Sequence, residues 1–485
     1  ASASAPRVRR RGYRCRVVDT DAAMSRSERA VLAVAVLASF VSFLDGTIIN
    51  VALPAISKEL GGGLGTQQWV VDSYLITLGA LILVAGSVSD AFGRLLVMRI
   101  GLIGFGLTSV AIALAPDPLF LIIARALQGA AAAFLVPSSL ALITSTFRGA
   151  SQARAIGIWT SLTTAAMLVG PLLGGALVDL ASWRWAFLIN VVPIAITLWL
   201  IPRTGVRDVR SPDASIDWIS ATFCTLGLGG TVFALIEQPN LGWTHPAVWG
   251  SLAAGLVLLT AFVLRQRTSH APVVPPELFR VRNFSTGNIA TLFIYAALSL
   301  NMFVVAIFLQ QTAGFSATAA GLASLPSTIV MVLLSPRIGA YVGRFGPRIF
   351  MTAGPLIMAA SCLLLLTVSA DFSYWWQMLP SMILFGFGLA LTVSPLTSTI
   401  LGSIDSSHAG SASAVNNAVA RIAGLIAIAG LALIAGGSID LDGLHRSVIG
   451  CAVFLALGGL VSFAGIRGRG GDSAATTDLP TSATP

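Results

Sequence analysis

The sequence predicts an all-α polytopic membrane protein of about fourteen transmembrane helices, and three observations carry that prediction. Of 485 residues, 55% are hydrophobic and only 10% charged, and mean hydropathy is +0.86. Soluble domains carry about 25% charged residues, and disordered chains have the opposite balance. Second, apolar runs of spanning length recur along the chain; at ~20 residues each, ~14 of them consume roughly 280 residues and leave short loops. Third, the arginines sit between those runs, as loop residues do. In a soluble protein a net charge of +9 would suggest a nucleic-acid partner; here it reads as loop charge, and no nucleic acid is expected.

Each element follows from its boundaries. The first run, 30–53, stops at Pro54. The second, 68–88, ends in a Gly- and Ser-containing loop closed by Arg94, after which 95–114 and 119–143 follow, the latter ending before Arg148. Arg154 precedes 155–177, and 185–202 lies between Arg184 and Arg203. The runs 217–237 and 247–265 come next, the second ending at Arg265. Arg280 and Arg282 precede 284–310; 319–338 ends before Arg344, and 350–369 starts after Arg348. The last three runs are 375–401, 411–435 and 447–466.

An even number of spans puts both termini on one side. With that side cytoplasmic, cytoplasmic segments hold 24 of the 29 basic residues, outer segments hold Lys58, Arg184 and Arg446, and Arg125 and Arg421 lie inside helices. Basic residues concentrate in cytoplasmic loops, so both termini are expected there, in the cell membrane. Residues 1–29 form a basic cytoplasmic segment. Met24 reads as the natural first residue; a basic tail touching anionic lipid is the other reading. Residues 467–485, rich in Gly, Ser, Thr, Ala and Pro, read as a disordered cytoplasmic tail.

The loops carry an internal repeat. Gly86-Ser-Val-Ser-Asp90-Ala-Phe-Gly93-Arg94 follows the second run, and Gly339-Ala-Tyr-Val-Gly343-Arg344-Phe-Gly346-Pro347-Arg348 follows the tenth; Gly86, Asp90 and Gly93 align with Gly339, Gly343 and Gly346. Such duplication divides the chain into two six-helix halves, 30–202 and 271–466, with a loop and two extra helices in 203–270 between them. Repeats of this kind place the substrate at their midplane interface.

Within the spans, Asp45 stands alone in an apolar helix. A charged side chain there costs about 2.5–3.5 kcal/mol on insertion scales, which makes a functional role the default expectation. A carboxylate alternately protonated and exposed is what proton coupling needs; a packing hydrogen bond to Thr47, Asn50 or a neighbouring helix is the other reading. Arg125 is placed to bias Asp45 or Asp72 toward proton release, or to tie backbone carbonyls at a helix end. Asp72 and Glu237 are expected at the outer ends of their helices, as attractors of cations or as solvated edges. Asp90 either caps the following helix or pairs with an arginine of a neighbouring loop, which with Gly93 and Arg94 makes a conformational latch. Asn50, Gln128, Asn301 and Gln310 are candidates for a cavity lining, with interhelix hydrogen bonding as the alternative.

Other chemistry has little support. Cys15, Cys224, Cys362 and Cys451 are far apart, and the four histidines are scattered, so no disulfide framework, metal site or cofactor is indicated. Lys58 is the only lysine and has no phosphate-binding loop around it. No nucleophile-and-base constellation suggests an enzyme.

Five motifs carry a family resemblance: Leu44-Asp45-Gly46-Thr47-Ile48-Ile49-Asn50-Val51-Ala52-Leu53-Pro54, the loop from Gly86 to Arg94, Arg125-Ala-Leu-Gln128-Gly129, Gly170-Pro171-Leu-Leu-Gly174-Gly175, and Trp183-Arg184-Trp185-Ala-Phe187-Leu-Ile-Asn190-Val-Val-Pro193. Together, over about residues 30–466, they resemble the fourteen-helix drug:proton antiporters of the major facilitator superfamily. The resemblance implies the major facilitator fold and export of lipophilic small molecules, drugs or antibiotics, in exchange for protons. It also implies a sealing or hinging role for Gly170, Pro171, Gly174 and Gly175, beyond the close helix packing their spacing suggests. A dedicated exporter of one metabolite, siderophore or lipid would use the same scaffold; a channel or passive facilitator is a distant alternative. A monomer is expected.

Overall fold

Ser25 opens the first helix with a reciprocal cap. Its hydroxyl accepts from the Glu28 amide at 3.1 Å, and the Glu28 carboxylate accepts from the Ser25 amide at 2.8 Å. The computed structural model describes residues 24–206, 208, 210, 216–269, 272–405 and 409–467. The expectations for residues 1–23 and 468–485 therefore lie outside the described residues.

Among the described residues, fourteen helices are long and apolar enough to cross a membrane: α1 (Arg26–Leu60), α2 (Gly63–Phe92), α3 (Arg94–Ala113), α4 (Pro118–Thr146), α5 (Ser151–Leu180), α6 (Trp185–Thr204), α7 (Trp218–Leu241), α8 (Pro246–Thr268), α9 (Arg282–Thr312), α10 (Ala317–Phe345), α11 (Pro347–Thr367), α12 (Tyr374–Gly402), α13 (Gly410–Ala429) and α14 (Leu441–Gly465). The count and order match the apolar runs. The even number returns the chain to the end of the bundle where it started, here the terminal end; the opposite one is the distal end.

The boundaries differ from expectation in informative places. α1 continues through Pro54 to Leu60, because a proline that late in a helix removes one backbone donor without ending the buried face formed by Val51, Ala52, Leu53 and Ile56. α2 starts five residues earlier than expected, since Gly61, Gly62 and Gly63 all take positive φ and complete the reversal there. The run 411–435 is two pieces that meet at Gly430, α13 and a short helix Leu431–Ala435. α9 ends in a widened turn over Phe308–Thr312, where the Ala313 amide reaches back to the Phe308 carbonyl at 2.9 Å.

Packing follows the division into halves. α1 packs on α5 and α2 on α4; in the second half α9 packs on α13 and α14, and α11 on α12 and α14. The most extensive contacts between the halves are α5 with α10 and α2 with α13, and α1 also touches α9 and α10. The extra pair packs on itself, and α7 leans on α2. Gly227, Gly230 and Gly255 make the α7–α8 seam so close that a Cβ on any of them would meet the partner helix within 3 Å.

Candidate functional site

Asp45 lies in the middle of α1 with none of its surface exposed, facing α4 and α6. One carboxylate oxygen accepts from Arg125 Nη1 at 2.7 Å; the other accepts from Gln128 Nε2 at 3.3 Å and Asn190 Nδ2 at 3.2 Å. Arg125 and Gln128 lie one turn apart on α4, so they point the same way and address one carboxylate together. Arg125 Nη1 also donates to Gln128 Oε1 at 2.6 Å, and its Nε donates to the Val70 carbonyl at 3.0 Å. Gln128 Nε2 donates to the Ser109 hydroxyl at 2.9 Å, and the guanidinium stacks 4.3 Å above the Tyr74 ring. All five polar side chains are at most 1% exposed. An ion pair so enclosed needs this set of bonds to offset its desolvation. The arrangement can hold one negative charge on Asp45, or one proton there if Arg125 turns to its remaining acceptors.

Arg125 thus pairs with Asp45 and not with Asp72. Thr47 and Asn50, the other candidate partners of Asp45, spend their donors on the backbone of their own turn, at Phe43, Leu44 and Gly46. Asp72 is not at a helix edge: it is fully buried nine residues into α2, and neither carboxylate oxygen has a partner. Glu237 is likewise engaged, accepting from Trp69 Nε1 at 2.9 Å. Asn301 is buried with its carbonyl oxygen unpartnered, and Gln310 sits in the widened turn bonded to the Ala306 carbonyl.

The glycines of α5 lie where two helices come closest. A Cβ at Gly170 would fall 2.0 Å from Thr47 Oγ1, and one at Gly174 would fall 2.9 Å from Ile48 and Val51 side chains, so both bring α5 onto α1. Gly175 faces the other half: its Cβ would meet the Ala317 carbonyl at 2.5 Å and Thr318 Cα at 2.6 Å. Gly321 on α10 answers it, packed on the Pro171 carbonyl. Past this seam, the Asp179 carboxylate accepts from the Ala317 and Thr318 amides at 3.0 and 2.8 Å, capping α10. The two halves are thus closed together at the distal end, while the terminal-end stretches of α5 and α10 are largely exposed.

At the terminal end, Asp90 does neither of the things expected of it. It pairs with Arg94 of its own segment at 3.1 Å, one turn along, with both side chains more than a third exposed. The helix after it is capped instead by Asp208, whose oxygens accept from the Leu95 and Leu96 amides at 2.7 and 3.0 Å. Gly93 is why that carboxylate fits: at φ 102°, a Cβ there would lie 2.7 Å from Asp208 Cγ.

With this geometry in view, the chain was compared with known proteins. Residues 35–428 match the Major Facilitator Superfamily. The chain belongs to that superfamily. Among curated superfamily members it is 31% identical over 444 residues to the methylenomycin A resistance protein of Bacillus subtilis (strain 168), covering 90% of this chain and 93% of the relative. It is 32% identical over 412 residues to the tetracenomycin C resistance and export protein of Streptomyces glaucescens, covering 83% and 75%. A crystal structure of the peptide transporter POT in complex with sulfate superposes with a TM-score of 0.68 over 90% of this chain and 94% of that one; at 14% identity it shows the shared fold. This major facilitator is therefore a multi-pass membrane protein.

Sequence reasoning left out three residues that the superfamily member's structure makes prominent. Ser109 completes the Asp45 network from α3, 64 positions away in sequence, and nothing marked it; Asn190 of α6, which reads from the sequence as one of the polar helix residues for a cavity lining or an interhelix hydrogen bond, also bonds Asp45. Asp179 follows Gly175 by one turn on the same face of α5, a signal that was available. Asp208 carried none.

Proposed function

We propose that this major facilitator is a proton-coupled exporter of lipophilic small molecules, drugs or antibiotics among them, working by alternating access in the cell membrane with its termini in the cytoplasm. The Asp45–Arg125 pair carries the reading. Asp45 holds the coupling proton and Arg125 is its counter-charge. Protonation of Asp45 weakens the 2.7 Å contact, and the guanidinium keeps Gln128 Oε1 and the Val70 carbonyl as acceptors. A proton thereby loosens α1 from α4 without leaving a buried cation bare. Asp72, whose buried carboxyl lacks any partner, is a second proton holder.

The halves 30–202 and 271–466 rock about the midplane. Gly170, Pro171, Gly174 and Gly175 seal the distal, outer side; at the cytoplasmic side Asp90 and Arg94 stiffen their own turn and Gly93 makes room for the Asp208 carboxylate. Asn50, Asn301 and Gln310 line the substrate path, with Gln128 at its border with the proton site. Resistance and export relatives support the substrate class and the direction of transport.

The test is proton movement in proteoliposomes under an imposed pH gradient, with a panel of lipophilic dyes and antibiotics, for wild type and Asp45→Asn. Collapse of the gradient by a substrate with wild type and not with Asp45→Asn is expected. Full pH-driven exchange by Asp45→Asn refutes the assignment of Asp45, and substrate flux indifferent to the gradient refutes coupling itself.

A further inference from the structure

Three arginines lie about two turns or more inside spanning helices, of which Arg337 of α10 is exposed and donates to the Leu333 carbonyl. Arg125 has an ion partner and two further acceptors; Arg421, more than two turns from either end of α13, has no ion partner and no hydrogen bond among the described residues. It is half-buried at the junction of the two halves. Its Cβ stands against Gly79 of α2, and three residues on, Gly424 packs on Ser299 of α9. Tyr74 and Tyr295 lie on α2 and α9, the two helices on which α13 packs most. Tyr74 is the residue whose ring carries Arg125 and whose hydroxyl lies 3.4 Å from Ser42. α2 thus carries both the tyrosine under Arg125 and the glycine against Arg421.

No acid of the neighbouring helices can neutralise it. α13 packs on α2, α7, α9 and α12, and α9 and α12 contain no acidic residue. Glu237 of α7 is taken by Trp69, and Asp90 of α2 by Arg94. Asp72 lies seven residues along α2 from Gly79, about 10 Å toward the distal end, beside Gln68, which donates to the Ile428 carbonyl. Asp45 already accepts from three donors. A guanidinium is permanently charged and presents a planar fork of donors matched to a carboxylate. Left without an anion at that depth it is costly, and the missing anion is one that comes and goes.

We propose that Arg421 is an anion-recognition residue of the transport path, and that the exporter's preferred substrates are amphipathic organic anions: an apolar body bearing a carboxylate. The carboxylate pairs with the guanidinium. This rests on the exporter reading above and narrows its substrate class.

The experiment measures equilibrium binding to the full chain in lipid nanodiscs, without a gradient, of two probes with the same apolar body and opposite heads, 1-pyrenebutyrate and 1-pyrenylbutyl-trimethylammonium. Empty discs supply the background. Wild type is expected to bind the butyrate at least about tenfold tighter, the scale of one partly screened charge contact. Arg421→Gln brings the two within about twofold by weakening the butyrate alone, and Arg421→Lys keeps part of the preference. Equal or absent butyrate binding by wild type, or an undiminished preference in Arg421→Gln, overturns the proposal. Because no gradient is used, the two readings fail separately. Arg421-dependent preference without proton movement refutes only the exporter, and proton-coupled flux without charge preference refutes only this inference.

Discussion

Replacing Arg125 by Gln tests the energetic meaning of the buried pair. Arg125→Gln removes the 2.7 Å bond to Asp45, the bond to the Val70 carbonyl and the contact with the Tyr74 ring, and leaves Asp45 held by Gln128 at 3.3 Å and Asn190 at 3.2 Å. Stripping one partner from a buried ion pair costs about 3–5 kcal/mol. Two surviving donors put this case near the lower end, ~3 kcal/mol. Asp45→Asn is milder, because Arg125 retains Val70, Gln128 and the Tyr74 face. In the double variant Asp45→Asn/Arg125→Gln no charge remains, and the cost returns to about 1 kcal/mol, that of ordinary buried hydrogen bonds.

The cycle reads out by thermal unfolding in detergent. Cys224, Cys362 and Cys451 are free and buried, so a thiol-reactive fluorophore labels them as the bundle opens. Arg125→Gln is expected to melt several degrees below wild type, and the double variant above Arg125→Gln. That ordering corresponds to a coupling of about 2 kcal/mol plus whatever Asp45→Asn costs alone, well outside the ~0.5 kcal/mol within which independent sites add. If the single effects add within that margin, water screens the pair, and the coupling mechanism built on its strength fails with it.

Two further outcomes are expected. Gly175→Val drives a branched side chain into the α10 backbone at Ala317 and Thr318, where no rotamer relieves it. Overpacking by about 1–3 kcal/mol shifts the balance toward distal opening by roughly 5- to 150-fold, read as a longer distance between spin labels on α5 and α10; an unchanged distance refutes the seal. Asp217 caps α7 through the Ser220 amide and binds Arg265 of α8 at 3.1 Å. Burial pushes its carboxyl up, but hydrogen bonds from Ser220, Arg265 and Ser269 outweigh that and hold it below the usual range. Its contribution is complete above the ordinary value of about 3.9 and is lost as pH falls below that through the lowered one. Protection of the amides near Ser220 should follow that course in wild type and be low at every pH in Asp217→Asn.

The helix count was legible because lipid leaves one way to satisfy a backbone, and apolar length alone then reveals each span. Asp45 was legible for the same reason: an acid in such a run stands out. Arg125 reads from the sequence as the counter-charge of Asp45 or of Asp72; which of the two, and the joining of Gln128, Asn190 and Ser109 to the same acid, was not legible, because these residues come from three helices whose rotations the sequence does not state. Asp72 was misplaced for a local reason. Taking α2 to begin at Gln68 puts it at an edge, and the three positive-φ glycines that move the start to Gly63 put it inside. Asp90 was misread because its short side chain finds Arg94 within reach on the same turn, while Asp208 arrives from beyond α6 to take the amides of α3.

The repeat has diverged in where it keeps charge, and the divergence bears on mechanism. In the first half the buried acid is matched by a buried arginine, and their bonds close among α1, α3, α4 and α6. The second half has no acid on α9, carries Gly343 where the first has Asp90 and holds a cation, Arg421, with no ion partner among the described residues. Both halves keep unpartnered buried polar atoms, on Asp72 and Asn190 in the first and on Asn301 in the second, so what separates them is the charged pair. A paired acid changes state when a proton is added; a cation without an anion changes state when a ligand arrives. On that argument the first half handles the proton and the second the substrate, with α2 carrying both Tyr74 under Arg125 and Gly79 against Arg421. Exchange then needs no contact between proton and cargo: a protonated Asp45 and an occupied Arg421 favour opposite-facing states, so each is taken up as the other is released.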